Sequence, residues 1–337
     1  MKWIGATLLL LATTPCGLAQ DATALKTRLE SAQQRSSLED AALKPWHLKL
    51  TVHLFNEKGK PTGDGTIEEW WISPGHDRRE YNAGAYKATE LRDDDKQYRT
   101  KGAGTPPYLL SLLRDQAVKP IALEKEDSSH AELRKETIGK IPLECIMLSQ
   151  PIKRLAFAPL GLFPTYCFEP GKDDLRLSFE FGNQTIVRNR IGTFQNRAVG
   201  TQVSVLSGTG PVASSEVVKL ETFTPSGDEL AASGEIGELP LSPVKVSSGA
   251  IAGKAISQPQ PVYPATARAN RVTGTVVLHA IVGTDGHVHS LRIVSAPDPD
   301  LAISAIAAVR QWTYSAYSLM GAPVDVETTI NVNYTMQ

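Results

Sequence analysis

Three polar residues near the C-terminal end of the chain have types and spacing that could bind a metal ion. His287 and His289 are two positions apart, so in a β-strand their side chains point to the same face, and Asp285 lies nearby. Imidazole and carboxylate groups are frequent ligands of zinc and other transition metals. No further ligand is spaced to complete a site, and the histidines adjoin a turn. We therefore interpret them as exposed polar residues of a strand and predict no metal site.

Other short motifs that could carry chemistry are incomplete. The run Asp93-Asp94-Asp95 could suggest calcium, but the alternating ligands and the distal glutamate of a calcium loop are missing. Gly208 and Gly210 are not followed by the Lys-Ser/Thr of a phosphate loop. No Gly-x-Ser-x-Gly nucleophile elbow occurs in the sequence. We predict no catalytic residue and no cofactor, and hence a protein that is not an enzyme.

The N-terminal residues have the composition of a secretory signal. One lysine precedes about a dozen mostly apolar residues, whereas a bilayer core of ~30 Å needs ~20. Small residues at Gly17 and Ala19 suit cleavage, so we predict a signal peptide over residues 1–19. A retained anchor is one alternative. Cys16 raises another, a lipidated N-terminus, for which the preceding Pro15 is a poor fit.

Removal of the signal would leave two cysteines, Cys145 and Cys167. In an oxidising compartment such a pair forms a disulfide more often than it stays reduced. The residues around both have strand-like sequences, which fits a bridge between strands or one that pins a loop. Closing a loop of about 22 residues would stabilise the fold by about 3 kcal/mol. A redox or catalytic role is the alternative, and no histidine flanks either cysteine in sequence.

The composition narrows the class of protein. The 337 residues suggest about two domains. Hydrophobic residues make up 41% and charged residues 21%, so the chain is too apolar to be disordered. The 35 basic and 36 acidic residues nearly cancel, which removes the basic excess that nucleic-acid binding needs.

Residues 22–224 have the pattern of one antiparallel β domain. Leucine spacing predicts a short helix between residues 22 and 43, ended by Pro45. Alternating apolar residues at 48–54 indicate a strand with one buried face. A helical stretch is expected at Tyr108–Arg114. Further strands are predicted at residues 67–72, 81–91, 96–99, 143–149, 165–169, 175–181, 184–190, 192–199 and 216–223.

This order of elements resembles the LolA-like superfamily of lipoprotein carriers. The resemblance implies a curved, half-barrel-like antiparallel sheet with short helices, and a lipid or acyl chain bound on its concave face. A lipid or lipoprotein carrier is therefore the alternative function. In the other interpretation, Trp70, Trp71 and the leucines at 109–113 simply fill the core, as such stripes usually do.

Residues 225–254 are expected to form a flexible linker. The segment is rich in glycine, serine, proline and alanine and has no aromatic residue. Counted from Pro225 to Pro261, a flexible coil of about 35 residues has an end-to-end distance of roughly 33 Å. Such a tether would leave the flanking domains with little fixed geometry.

Residues 255–337 predict a small α+β domain. Gly274 opens a strand, Asp285-Gly286 has the sequence of a hairpin turn, and residues 288–294 return as the partner strand. Asp298-Pro299-Asp300 then starts a helix. Alternation from Val324 to Tyr334 predicts a last strand. We expect a three-stranded antiparallel sheet, packed against one main helix, with the last strand at its edge.

These motifs, in this order, resemble the TonB C-terminal domain family. The matching features are Tyr263-Pro264, Gly274, Asp285-Gly286, an alanine-rich helix ending in Trp312 and Tyr314, and Gly321-Ala322-Pro323-Val324. The family is periplasmic, and its members pair with a short strand, the TonB box, from an outer-membrane receptor. The chemistry is strand addition to an exposed sheet edge. By resemblance, the partner-binding residues are Gln260, Tyr263, Pro264, Arg268, Val326, Thr328, Ile330, Val332 and Tyr334.

The expected function follows from this resemblance. We expect a non-enzymatic periplasmic protein that docks to an outer-membrane TonB-dependent receptor or another envelope partner, in support of transmembrane transport. The family's energy transducers keep an N-terminal membrane helix and a long proline-rich spacer, and neither is expected here. We expect no nucleic-acid partner. Because exposed edges can pair with each other, a homodimer through the last strand is a further expectation.

Overall fold

A computed structural model describes residues 22–56, 58–123, 130–149, 152, 158–180, 184–208, 210–231, 234–240, 243–319 and 322–336. The predicted signal peptide, Cys16 and Gly321 lie outside these residues. Within them, no helix has the length and apolar character needed to cross a membrane.

A large antiparallel sheet contains most of the strands. Its spatial order is β13-β5-β4-β3-β2-β1-β12-β11-β10-β9-β8-β7-β6. The strands are Trp46–Phe55 (β1), Pro61–Ser73 (β2), His76–Ala83 (β3), Tyr86–Asp93 (β4), Lys96–Thr100 (β5), His130–Ile138 (β6), Ile141–Ser149 (β7), Thr165–Phe168 (β8), Leu175–Glu180 (β9), Gln184–Phe194 (β10), Arg197–Ser207 (β11), Gly210–Thr222 (β12) and Ile236–Leu239 (β13).

The alternation of apolar and polar residues in the sequence corresponds to a sheet with one buried face and one more exposed face. In β1, Leu48, Leu50 and Val52 are fully buried, while Lys49 and Thr51 between them are partly exposed. This confirms the predicted large antiparallel sheet. One difference is that residues 81–91 are not a single strand, because the chain turns at Gly84, whose φ of +58° suits glycine. Strand β6 was not predicted, since its sequence is mostly charged.

Two helices pack against this sheet. They are Ala22–Ser36 (α1) and Tyr108–Val118 (α2). Helix α2 buries Leu110 and Leu113 in the same apolar cluster as Trp46 and Trp71, whose rings stack 5.8 Å apart. Trp71 and the leucines at 110, 112 and 113 fill the core, as the second interpretation predicts. Trp70 does not, because it is only partly buried and stacks between His47 and Arg78. The expected helix to residue 43 ends earlier, at Ser36.

The predicted disulfide is confirmed. Cys145 in β7 and Cys167 in β8 are register partners on neighbouring strands, and their sulfur atoms are bonded. Both are fully buried, next to Leu143 and Leu177. The bond therefore joins two adjacent strands inside the large sheet.

The C-terminal region forms a second, smaller sheet. Its elements are Val244–Lys245 (β14), Ser248–Ala252 (α3), Ala255–Ser257 (β15), Ala265–Ala269 (α4), Gly274–Val282 (β16), Val288–Ser295 (β17), Pro299–Val309 (α5), Thr313–Tyr314 (β18), Tyr317–Leu319 (β19), Ala322–Val324 (β20) and Val326–Tyr334 (β21). The sheet order is β14-β21-β16-β17, while β15 pairs with β18 and β19 with β20.

The expected three antiparallel strands are present, as β21, β16 and β17, but the sheet has a fourth strand. Strand β14 pairs in parallel with the start of β21. Helix α5 covers one face, with Leu301, Ala305 and Val309 buried against the sheet. Its first turn is capped as the sequence predicts, because the Asp298 side chain accepts a hydrogen bond from the Asp300 main chain at 2.9 Å.

The segment expected to be a flexible linker contains paired strands. Residues 236–239 pair with β5 of the large sheet, and residues 244–245 pair with β21 of the small one. Ile251 in α3 is buried in the core of the small sheet. Short strands of two to four residues carry too little periodicity to be recognised in a sequence rich in glycine and serine.

The two sheets also contact each other directly. Leu162 and Phe163, which precede β8, lie in the same apolar cluster as Ile306 of α5. On the other side, the hydroxyl of Thr105 donates a hydrogen bond to the Asp325 carboxylate. Apolar and polar contacts thus join the large sheet to the small one.

Candidate functional site

The outer edge of β21 presents unpaired main-chain groups. Successive residues of a strand direct their N–H and C=O groups to opposite sides. Because the Glu327 carbonyl faces β14, the main-chain groups of Thr329, Asn331 and Asn333 face the same way, where β14 no longer extends. Among the residues that the structure describes, no strand pairs with this part of β21 on that side. The edge therefore has the geometry that an added strand requires.

The β21 residues that the sequence predicts to bind a partner do not direct their main-chain groups to this edge. Val326, Thr328, Ile330, Val332 and Tyr334 are all buried, with 1–4% of their surface exposed. Their side chains pack into the core of the small sheet, and their main-chain groups face β16. The residues whose main-chain groups could meet a partner strand are the alternate ones, Thr329, Asn331 and Asn333, which the sequence-predicted site does not include.

The start of β21 is covered by the chain itself. Val244 and Val246 donate main-chain hydrogen bonds to the carbonyls of Asp325 and Glu327, at 2.8 and 2.9 Å. The Glu327 carboxylate lies 3.0 Å from the imidazole of His279 and 3.8 Å from the Lys245 ammonium. The hydrogen bond with His279 lowers the Glu327 pKa. This end of the edge is therefore closed by both main-chain and charged contacts.

The second predicted contact lies at the far end of β21. The Tyr263 ring packs edge-on against the ring of Tyr334, with 5.4 Å between centroids. Its hydroxyl donates to the Val272 carbonyl, and the Arg268 guanidinium lies 5.5 Å from its ring centroid. Pro264 immediately precedes helix α4. Tyr263 thus anchors its segment to the core beside the last residue of the open edge.

Gln260 lies on a different surface from the β21 edge. It lines an apolar groove of about 500 Å³ between residues 259–266 and helix α5. Val262 and Ile303 border the groove and are 80% and 43% exposed. The groove is held open by a hydrogen bond from the Trp312 indole to the Pro259 carbonyl at 3.0 Å. Of the predicted residues, Tyr263 and Tyr334 come together, while Gln260 stays apart.

A buried group of ion pairs in the large sheet was not predicted. Arg114 of α2 donates two hydrogen bonds to the carboxylate of Glu69, at 2.7 and 2.5 Å. Arg79 also contacts Glu69, at 3.2 Å, and Arg114 reaches Glu39 at 2.9 Å. Glu69 is completely buried and Arg114 is 5% exposed. A signal existed, since Glu69 shares the strand face of Ile67 and Trp71 by period-two alternation.

The charges of this group stabilise one another. Burial by itself would raise the Glu39 pKa, but the charge and hydrogen bond of Arg114 outweigh it and lower the pKa to about 2. Burial likewise acts to lower the Arg114 pKa, and the carboxylate of Glu69 raises it well above its usual value. Burial raises the pKa of Asp77, which is 3.0 Å from Arg79. The group is a closed set of partners that ties helix α2 to the sheet.

The histidines that could suggest a metal site are held within their hairpin. His289 Nε2 lies 2.9 Å from both carboxylate oxygens of Asp285, and the His287 main chain donates to the same carboxylate at 3.0 Å. The turn requires glycine at Gly286, because a Cβ there would lie 1.9 Å from the Tyr314 carbonyl oxygen. These contacts shape the hairpin.

Comparison with known proteins identifies the small sheet. Residues 259–336 match the family model described as Gram-negative bacterial TonB protein C-terminal. Protein TonB of Klebsiella pneumoniae is 40% identical over 62 residues, which is 18% of this chain and 26% of that protein. The chain thus spans about a quarter of the length of the curated relative that it matches.

Solved structures are similar to the chain over its larger part. A LolA superfamily protein from Nitrosomonas europaea has a TM-score of 0.39 and 12% identity, and covers 61% of this chain and 96% of its own. A DUF1329 family protein from Desulfovibrio piger has a TM-score of 0.38 and 8% identity, over 61% of this chain and 94% of its own.

The match of residues 259–336 to the family model shows that the C-terminal region of this chain is a TonB-type domain.

Proposed function

We propose that this chain acts in the periplasm as a docking protein for an outer-membrane TonB-dependent receptor. The TonB-type domain would add a strand of the receptor to the open edge of β21, in support of transmembrane transport. The large sheet and its ion pairs would serve as the body that carries this domain. The proposal assigns no catalytic step to the protein.

One observation carries the proposal: the outward main-chain groups of Thr329, Asn331 and Asn333 lack a partner strand among the described residues. Beyond β14, no described strand pairs with the rest of β21 on this side, and helix α3 is the element that lies nearby. A short extended peptide would pair with the main-chain groups that no strand occupies. The side chains at these positions are exposed and uncharged. A partner strand would therefore bind without displacing an ion pair.

Proline substitution tests the edge directly. Asn331→Pro removes one outward N–H, and proline is tolerated on edge strands whose N–H faces solvent. Loss of one main-chain hydrogen bond predicts that a TonB-box peptide binds about 5- to 10-fold more weakly. Asn331→Thr is the matched control, because it changes the side chain but keeps the N–H. Calorimetric titration of the full chain measures both variants.

Equal peptide affinity in the two variants, with thermal unfolding unchanged, would overturn strand addition at this position. The same variants address a homodimer through β21. If a second copy occupies the edge, Asn331→Pro lowers the sedimentation mass of the protein to that of a monomer while Asn331→Thr does not. A monomeric starting protein would rule out the homodimer and leave the edge for a receptor.

A further inference from the structure

Two turns of the large sheet meet at one end of strands β2 to β5. The turn after β2 contains Gly75, whose carbonyl accepts a hydrogen bond from the main chain of Asp94 at 2.9 Å. Asp94 lies in the turn after β4, and His76 is the register partner of Asp93. Among the described residues, this is the group in which three ligand atoms of histidine and carboxylate side chains lie within 4.8 Å of one another.

The distances in this group differ from those of the other histidine–carboxylate contacts in the molecule. His47 with Glu68, His53 with Asp64, His289 with Asp285 and His279 with Glu327 are separated by 2.7, 2.7, 2.9 and 3.0 Å, which are ordinary hydrogen bonds. His76 Nε2 instead lies 3.4 Å from Asp93 Oδ1 and 3.3 Å from Asp94 Oδ1. Neither contact of His76 is therefore as close as the hydrogen bonds of the other histidines.

Tetrahedral metal coordination produces the same spacing. With metal–ligand bonds of about 2.0–2.1 Å, neighbouring ligand atoms of a tetrahedron lie about 3.3–3.4 Å apart. The two distances from Nε2 to the carboxylate oxygens therefore match the separation of neighbouring ligands around a common ion, and all three atoms lie within 4.8 Å of one another. The three side chains are 30%, 59% and 77% exposed, so an ion can enter from solvent and keep a water molecule in its fourth position.

The histidine is also oriented as a metal ligand usually is. Its Nδ1 atom lies 3.1 Å from the hydroxyl of Ser73. When Nδ1–H donates to that oxygen, the lone pair of Nε2 points toward the two carboxylates. A hydrogen bond at the second ring nitrogen is the common device that fixes the tautomer of a metal-bound histidine.

We propose that His76, Asp93 and Asp94 bind one divalent transition-metal ion, with Ser73 as the residue that positions His76. An imidazole with two carboxylates suits zinc and its neighbours in the first transition row. Calcium requires six to eight oxygen ligands, which this site does not supply. The ion would tie the β2–β3 turn to the β4–β5 turn, far along the sequence from the TonB-type domain.

The test is a calorimetric titration of zinc chloride into the full chain, prepared without an affinity tag and stripped of metal by a chelator. We expect one zinc ion per chain and the intense visible absorption of tetrahedral cobalt(II) when cobalt is used instead. His76→Ala should abolish this binding, and Asp94→Asn should weaken it while keeping a residue that tolerates the positive φ of 54°. Ser73→Ala should weaken it by about tenfold or more.

His53→Ala is the matched control, because His53 is exposed on the same sheet and contacts a single carboxylate. It should leave zinc binding unchanged. The proposal is overturned if the chain binds no zinc, or if His76→Ala and His53→Ala bind zinc equally well.

Discussion

In the large sheet, Glu69 and Arg114 are buried and Arg79 is partly buried. Both arginines pair with the Glu69 carboxylate, so these charged groups have partners inside the protein. In the small sheet, the buried face of β21 is almost entirely apolar, and the polar groups without a partner strand are the main-chain groups of Thr329 and its alternate neighbours. The large sheet thus has its paired charged groups between helix α2 and the sheet. The small sheet has its outward main-chain groups along the edge of β21.

In the proposed function, this difference separates the body of the protein from its docking surface. Buried charges with several partners favour one arrangement of helix and sheet, since each would be costly to leave unpaired. An edge strand with outward N–H and C=O groups can gain ladder hydrogen bonds from an added strand. The large sheet is therefore expected to respond to substitution through stability, and the small sheet through binding.

Removal of Arg114 should have the largest effect on stability. Arg114→Met leaves the fully buried Glu69 without its bidentate partner, which typically costs about 3–5 kcal/mol of the free energy of unfolding. Urea unfolding followed by fluorescence measures it, because Trp46 and Trp71 are buried beside α2.

The matched control for this substitution is Arg190→Met. Arg190 pairs with Glu216 at 2.7 Å, but the two side chains are 57% and 46% exposed. Such a pair contributes about 0–1 kcal/mol. Equal losses of unfolding free energy in the two variants would contradict the view that burial gives the Arg114 group its importance.

The free energy of unfolding at acid pH should report the contribution of the Glu39 carboxylate. Its pKa is lowered from 4.5 to about 2 in the folded protein, so the folded state favours the charged carboxylate. That stabilisation is complete above pH 4.5 and is lost as the pH falls through about 2. Glu39→Gln should therefore be less stable than the unsubstituted protein at neutral pH, and the gap should narrow below pH 4.5. A gap that stays constant in urea unfolding across this range would contradict the assignment.

Opening the closed end of β21 should have a smaller effect, on binding. Val246→Pro removes the donor to the Glu327 carbonyl and lengthens the free edge. One additional main-chain hydrogen bond predicts that a TonB-box peptide binds about 2- to 10-fold more tightly. Val246→Ala loses similar packing but keeps the N–H, so calorimetry should find its affinity unchanged. Tighter binding by both variants would instead assign the effect to packing.

Much of the small sheet could be predicted because its signals are local. The alternation along β21, the cap at Asp298 and the positive φ of 77° at Gly286 each depend on a few neighbouring residues. The pairing of Cys145 with Cys167 was also predictable, since only two cysteines were expected in the mature chain. These features need no knowledge of distant parts of the chain.

The remaining features depend on contacts between distant residues. Glu39, Glu69 and Arg114 are 30 and 45 positions apart in sequence, and charged side chains are exposed more often than not. The partial closure of the edge arises from two residues of β14, whose sequence has no strand period. For the site, the alternation of buried and exposed residues along β21 could be predicted from the sequence. Which alternate residues direct their main-chain groups to a partner depends on the side of β21 on which β16 lies.

The most direct test of strand addition is to follow the main-chain amides of β21 by nuclear magnetic resonance while a TonB-box peptide is titrated into the deuterated full chain. The account predicts that the amide signals of Thr329, Asn331 and Asn333 shift and gain protection from exchange, while those of Thr328, Ile330 and Val332, which face β16, change little. Bound peptide that leaves the three outward amides unshifted would contradict docking at this edge.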